Sequence, residues 1–252
     1  MVTAGLFDPI EIEIAWGRLT AIIDEAAAAL VRTSFSTIVR EAQDYTVILL
    51  DHRGRSVAQP SVSAPSFTGT MPRTMRHFLD KFPIDEWNPG DLVITNDPWM
   101  GTGHLNDVNV ARPIFREDKL IGFAGLVAHT ADIGGILWSA EAHEVYEEGI
   151  QIPICKLMVR GEPNEDVFNF IRTNVRVPDI VVGDLHAMNS AAQVVDRRLN
   201  DFLAEFGADR WEPLVEEVIT RTEIAVREEI RKIPEGTYTH EIAMDGYGEP
   251  VI

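Results

Sequence analysis

The sequence predicts an α+β fold: a mixed or antiparallel sheet built from hairpins, flanked by a long N-terminal helix and two to three C-terminal helices. Three observations predict it. An apolar stripe at helical spacing follows Asp8-Pro9, paired apolar runs separated by short polar turns fill the middle, and long amphipathic stretches follow residue 164.

The elements follow in order. Asp8 is a good N-cap and Pro9 a good first helical residue. Ile12, Trp16, Leu19, Ile23, Ala26, Ala27 and Leu30 recur on one face, so the first helix is expected to run to about Thr33. The polar segment SFSTIVREAQDY leads into the strand TVILL. A turn at Asp51–Gly54 and the return run RSVAQP complete a hairpin over 45–59. SVSAPSFTGTMP reads as a loop, and Met71 to Phe82 as a short helix stopped by Pro83. A turn at 87–90 launches the strand DLVIT, and NDPWMGTGHLND follows as an extended loop.

VNVARPIF and LIGFAGLVAH, separated by REDK, form an antiparallel hairpin centred near Asp118. Opposed residues then share a number sum of about 236, which sets Asp107 opposite His129 with Cβ atoms about 5 Å apart. A slip of one residue would send the two to opposite faces. His104 lies three residues earlier, in the turn. A short strand is expected over Gln151–Cys155 and a turn over Arg160–Pro163. Asn164 caps a helix through Asn174. Pro178 opens a long helix through Phe206, burying Ile180, Leu185, Met188, Ala192, Val195, Leu199 and Phe202. A third helix, Asp209 to Lys232, is acidic early and basic late, which suits the helix dipole. The expected organisation is a site-bearing sheet over about 36–160, a helical part over about 164–232, and an incomplete strand region over 233–252.

The formal charge of −18 disfavours nucleic acid or an anionic membrane as partner, since both need a basic surface. A single cysteine, Cys155, excludes a disulfide framework and a cysteine-based zinc site, and reads as a small buried hydrophobe. The first residues lack a basic segment followed by an apolar run, and no stretch reaches the roughly 18 apolar residues of a membrane span. The expected location is cytoplasmic. Neither a G-x-x-x-x-G-K-[ST] loop nor a G-x-G-x-x-G turn occurs, so the chain carries no evident ATP or dinucleotide site. The GTG at 101–103 precedes a histidine and a strand, not a helix, and is no phosphate cradle.

NDPWMGTGHLNDV, AHTADIGG and YEEGIQIP resemble the signature segments of the hydantoinase B/oxoprolinase family. SFSTIVREAQDYTVILLD, SAPSFTGTMP and VGDLHAMNSA also look like that family, and the likeness covers essentially all 252 residues. Its members include the B-type components of ATP-dependent hydantoinases and relatives among 5-oxoprolinases, lactamases and acetone carboxylases. The usual member is about twice as long, so the resemblance implies an N-terminal half. It further implies a metal-dependent hydrolase of cyclic amides that works with an A-type, ATP-binding partner subunit in a hetero-oligomer, ATP being bound by that partner.

The resemblance implies metal ligands at Asp44, His104, Asp107 and His129. Two imidazoles and two carboxylates suit Zn²⁺, Mn²⁺ or Fe²⁺ and leave positions for water or substrate. Glu41 and Asp51 are nearby alternatives to Asp44. Asp132 and Glu148 are candidate catalytic residues beside this set, Glu148 as a proton carrier or simply a solvated charge. Asp97 and Asp132 are also candidates to orient the imidazoles. Trp99 and Phe67 are candidate pocket walls, with core packing as the ordinary role of an aromatic. Two further readings stand beside the hydrolase: a subunit of an acetone-type ketone carboxylase that holds an enolate at the metal, and a non-catalytic scaffold of the same fold.

Overall fold

Asp8 starts the first helix as the sequence requires. Its Oδ1 accepts from the Ile10 amide at 2.7 Å, and Pro9 fills the first position of α1 (Pro9–Thr33). The computed structural model describes residues 7–136 and 141–242. The face that α1 buries is Ile12, Ala15, Leu19, Ile22, Ile23, Ala26, Ala27 and Leu30. Trp16, placed on that face by the helical spacing, is 43% exposed, because Ile12 and Ala15 take the inward positions of the first two turns.

A one-turn helix α2 (Thr37–Arg40), not expected from the sequence, precedes β1 (Tyr45–Asp51) and β2 (Ser56–Ala58). Helix α3 runs from Pro65 to Lys81, so the segment expected as a loop is helical and Pro72 lies inside it. Proline in a helix interior costs about 3 kcal/mol or more. Here Phe67, Met71, Met75 and Phe78 all bury against Ile48, Leu50, Val93, Ala111, Phe123 and Val127 of the sheet. Fully burying one such side chain contributes about 1.5–3 kcal/mol, so four of them outweigh the proline.

The sheet continues with β3 (Leu92–Thr95), β4 (Asp107–Arg116) and β5 (Lys119–His129). A one-turn helix α4 (Val145–Glu148) precedes β6 (Cys155–Val159) and β7 (Glu162–Pro163). The strand expected at 151–155 therefore lies later. Ile152 instead bonds to the turn after β3, its N–H donating to Asn96 Oδ1 at 2.6 Å. The order is β2-β1-β5-β4-β3-β6-β7, and every pairing is antiparallel.

Helices α5 (Glu165–Asn174) and α6 (Pro178–Phe206) follow, then a 3-10 turn at Ala208–Arg210 and α7 (Trp211–Arg231). Strand alternation turns Arg112 away from the α3 side, and it meets Asn189 and Asp196 of α6. The sheet is thus covered by α3 on one face and by α6 on the other, with α1 packed along α6 and β1. Two units divide between Val218 and Ile219. The first holds the sheet and α1 to α6. The second has its own ion pairs, Arg227–Glu223 and Lys232–Glu229. The strand region expected over 233–252 falls partly outside the described residues. Among the described residues no helix is long and apolar enough to cross a membrane.

Candidate metal centre

The β4–β5 hairpin turns at Glu117–Asp118, Glu117 taking a φ of 53°. Arg116 pairs with Lys119 and Phe115 with Leu120, after which Ile121 is left over as a bulge and Ile114 pairs with Gly122. Without that extra residue Asp107 would oppose Ala128; with it, Asp107 opposes His129. Gly122 beside the bulge leaves room for the chain to close, since a Cβ there would lie 2.4 Å from the Leu50 carbonyl oxygen. The frayed carbonyl of Ile121 accepts from Trp211 Nε1 at 2.9 Å.

Alternation places Asp107 on the face of Ala111, and His129 on the face of Val127, so both lie on the α3 side. His129 Nδ1 stands 3.0 Å from Asp107 Oδ1 and 3.6 Å from Asp44 Oδ2. Asp44 reaches it because the β1–β5 ladder continues one step past β1, with the His129 amide donating to the Asp44 carbonyl at 3.0 Å. Gln43, at a φ of 55°, makes the bend just before it. The His104 ring centroid lies 5.2 Å from that of His129. Asp107 and His129 are buried, whereas Asp44 is partly exposed and His104 exposed, so the cluster opens on one side. Burial pushes the Asp44 carboxyl above its ordinary pKa. The His129 imidazole pulls against that rise, the Asp107 charge adds to it, and His104 opposes it.

Asp51 caps its own turn, accepting from the Arg53 and Arg55 amides. It sits at the other end of β1, roughly 20 Å from Tyr45 at about 3.3 Å per residue, which removes it as an alternative to Asp44. Glu41 ends α2, exposed. Asp132 is taken up elsewhere. Its carboxylate accepts from the amides of Gly134, Arg176 and Val177 and from the Arg176 guanidinium, joining the loop after β5 to the start of α6. Burial alone would raise the Asp132 carboxyl, but those amides and Arg176 hold it below its ordinary pKa. Asp97 accepts from Trp99 N and Gln151 Nε2 and shapes the turn. Glu148 ends α4, half-buried, beside the loop at 133–136. Phe67 is core, whereas Trp99 is 77% exposed.

Two polar residues carry no mark in the sequence strong enough to single them out. Asn96 donates to the Leu105 and Ile150 carbonyls and accepts from Ile152, closing its own loop and tying it to the loop before β6. Thr102 Oγ1 donates to Asp107 Oδ2 at 2.6 Å. A threonine between two glycines just before a histidine was the available signal.

Among the described residues, no three histidine, cysteine or acidic side chains stand in a ready-made metal geometry. Ligands at about 2.1 Å around a tetrahedral ion are about 3.4 Å apart. The 3.0 and 3.6 Å separations bracket that value, and the donors are hard oxygen and imidazole nitrogen. The donor chemistry and these two spacings at Asp44, Asp107 and His129 therefore suit a divalent ion, with the His104 ring 5.2 Å from that of His129 on the open side.

The hydantoinase B/oxoprolinase family model matches residues 8–251. The chain is 34% identical over 247 residues to a putative D-/L-hydantoinase component, the B-type one, of a Pseudomonas species, covering 95% of this chain and 42% of that one. It is 28% identical over 239 residues to the acetophenone carboxylase delta subunit of Aromatoleum aromaticum, covering 93% and 34%. The crystal structure of ATP-dependent caprolactamase from Pseudomonas jessenii superposes with a TM-score of 0.88 at 29% identity, over 98% of this chain and 43% of that one. The chain thus spans less than half the length of these relatives. Matched along nearly its whole length, this chain belongs to the hydantoinase B/oxoprolinase family.

Proposed function

We propose that this chain supplies the divalent-metal centre of an ATP-dependent enzyme that opens cyclic amides, acting with an ATP-binding partner subunit. The observation that carries the reading is the cluster of Asp44, His104, Asp107 and His129, drawn from three separate stretches onto one sheet end. Buried Asp107 and His129 give the site a fixed wall, and Asp44 and His104 line its open side, where a substrate can enter. A bound divalent ion supplies Lewis-acid polarisation of a carbonyl and a water of lowered pKa. The likeness to a hydantoinase component and to a caprolactamase supports an amide ring as substrate. The likeness to an ATP-dependent caprolactamase supports a role for ATP, which we assign to the partner subunit.

Carboxylation of a ketone is the second reading, favoured by the likeness to an acetophenone carboxylase subunit. The deciding experiment reconstitutes the chain with its partner and compares ATP-dependent ring opening of hydantoins and lactams with bicarbonate-dependent turnover of ketones. Metal analysis of the same complex is expected to give a stoichiometric divalent ion, lost in His104→Ala and Asp107→Ala. Absence of the ion and of both activities sinks the proposal in favour of a scaffold.

A further inference from the structure

The loop from Asp97 to Gly103 is tied down at several points. The Asp97 carbonyl accepts from the Met100 and Gly101 amides at 3.1 and 2.9 Å. Thr74 of α3 donates from Oγ1 to the Met100 carbonyl at 2.8 Å. Gly101 then lies flat on β4, where a Cβ would come 2.7 Å from Asn109 Nδ2. This close approach brings Thr102 alongside Asp107, two residues before Asn109 on the same face.

We infer that Thr102 is a positioning residue of the candidate centre: its hydroxyl pins Asp107 Oδ2 and keeps Oδ1 turned toward His129 Nδ1. The inference rests on the metal reading given above. Its physical basis is the softness of the terminal carboxylate torsion, which has broad wells and lets an unanchored Asp swing. The 2.6 Å contact is a charge-assisted hydrogen bond of the short, strong kind. Asp107 then uses one oxygen for the anchor and offers the other to the cluster, at 3.0 Å from the imidazole.

The test measures Zn²⁺ and Mn²⁺ affinity of the full chain by chelator competition, for the wild type, Thr102→Val and Thr102→Ser. Valine keeps the shape without the hydroxyl and is expected to weaken binding about 10- to 100-fold, the usual effect of removing a partner of a metal ligand. Serine restores the donor and is expected to stay within a few-fold of wild type. A purely structural threonine would lower the melting temperature of Thr102→Val but leave its metal affinity unchanged, and that outcome overturns the inference. Equal weakening in Val and Ser overturns it too, since the hydroxyl would not be the cause. A wild type that binds neither ion overturns the metal centre itself, and this inference with it.

Discussion

Trp211 Nε1 donates to the carbonyl oxygen of Ile121, the one residue of β5 that has no place in the β4 ladder. The bulge moves the register by one residue, and only the moved register sets Asp107 against His129. An indole at the start of α7 thus satisfies the backbone group that the site's geometry leaves over.

Replacing that indole tests the link. Trp211→Phe strands a buried carbonyl, which is expected to cost about 1–3 kcal/mol before any loss of packing. Urea unfolding with an unchanged slope measures it. A variant as stable as wild type would mean that water or another donor serves Ile121 equally well.

Metal removal should be visible in stability. A ligand that binds only the folded state at about 100 times its Kd adds about 2.7 kcal/mol. Adding Zn²⁺ or Mn²⁺ to metal-stripped protein is expected to raise the melting temperature, and the rise should vanish in Asp107→Ala/His129→Ala. An equal rise in that double variant would place the ion elsewhere.

Gly101→Ala puts a methyl 2.7 Å from Asn109 Nδ2, so either that side chain shifts or the loop rises from β4 and carries Thr102 with it. We expect a folded protein whose metal affinity falls by about tenfold or more, in the range seen when ligand-supporting contacts are lost. Unchanged affinity would show that the flat loop is dispensable.

Asp132 carries a pH prediction. Its folded-state pKa is lowered, so its stabilising contribution is fully present above the unfolded carboxylate value of about 3.9 and is lost as pH falls through the folded value. Asp132→Asn is expected to be less stable near neutrality by about 1–3 kcal/mol, through its stranded amides. It should also show a flatter stability profile below about pH 4, because the linked proton is gone. Parallel wild-type and variant slopes in acid would assign the acid response to other carboxylates, with Asp91, also held low, the first to examine.

The sequence by itself determined the helix starting at Asp8-Pro9, the two hairpins, the long α6, and the pairing of Asp107 with His129. Each of these rests on short-range periodicity, caps and turns, which are local. The hairpin sum of about 236 gave the right partner, yet it fits the site end of the hairpin only because of the bulge. The turn itself lies half a residue earlier, at Glu117–Asp118, and Ile121 makes up the difference. No local pattern marks that residue; its carbonyl is satisfied by Trp211, 90 positions away.

Only the tertiary structure decided the rest. Helix α3 extends through Pro72 because Phe67 and Met71 bury on the sheet, a long-range gain larger than the local cost. Asp44 rather than Asp51 joins the histidines because the β1–β5 ladder extends one residue before the start of β1. Asp132, three residues after His129, turns to the start of α6, where the Arg176 guanidinium and the Arg176 and Val177 amides hold its charge. Thr102 meets Asp107 because Gly101 lets the loop lie against β4. Side-chain partners of this kind depend on which surfaces approach when the layers close, and that information is spread over the whole chain.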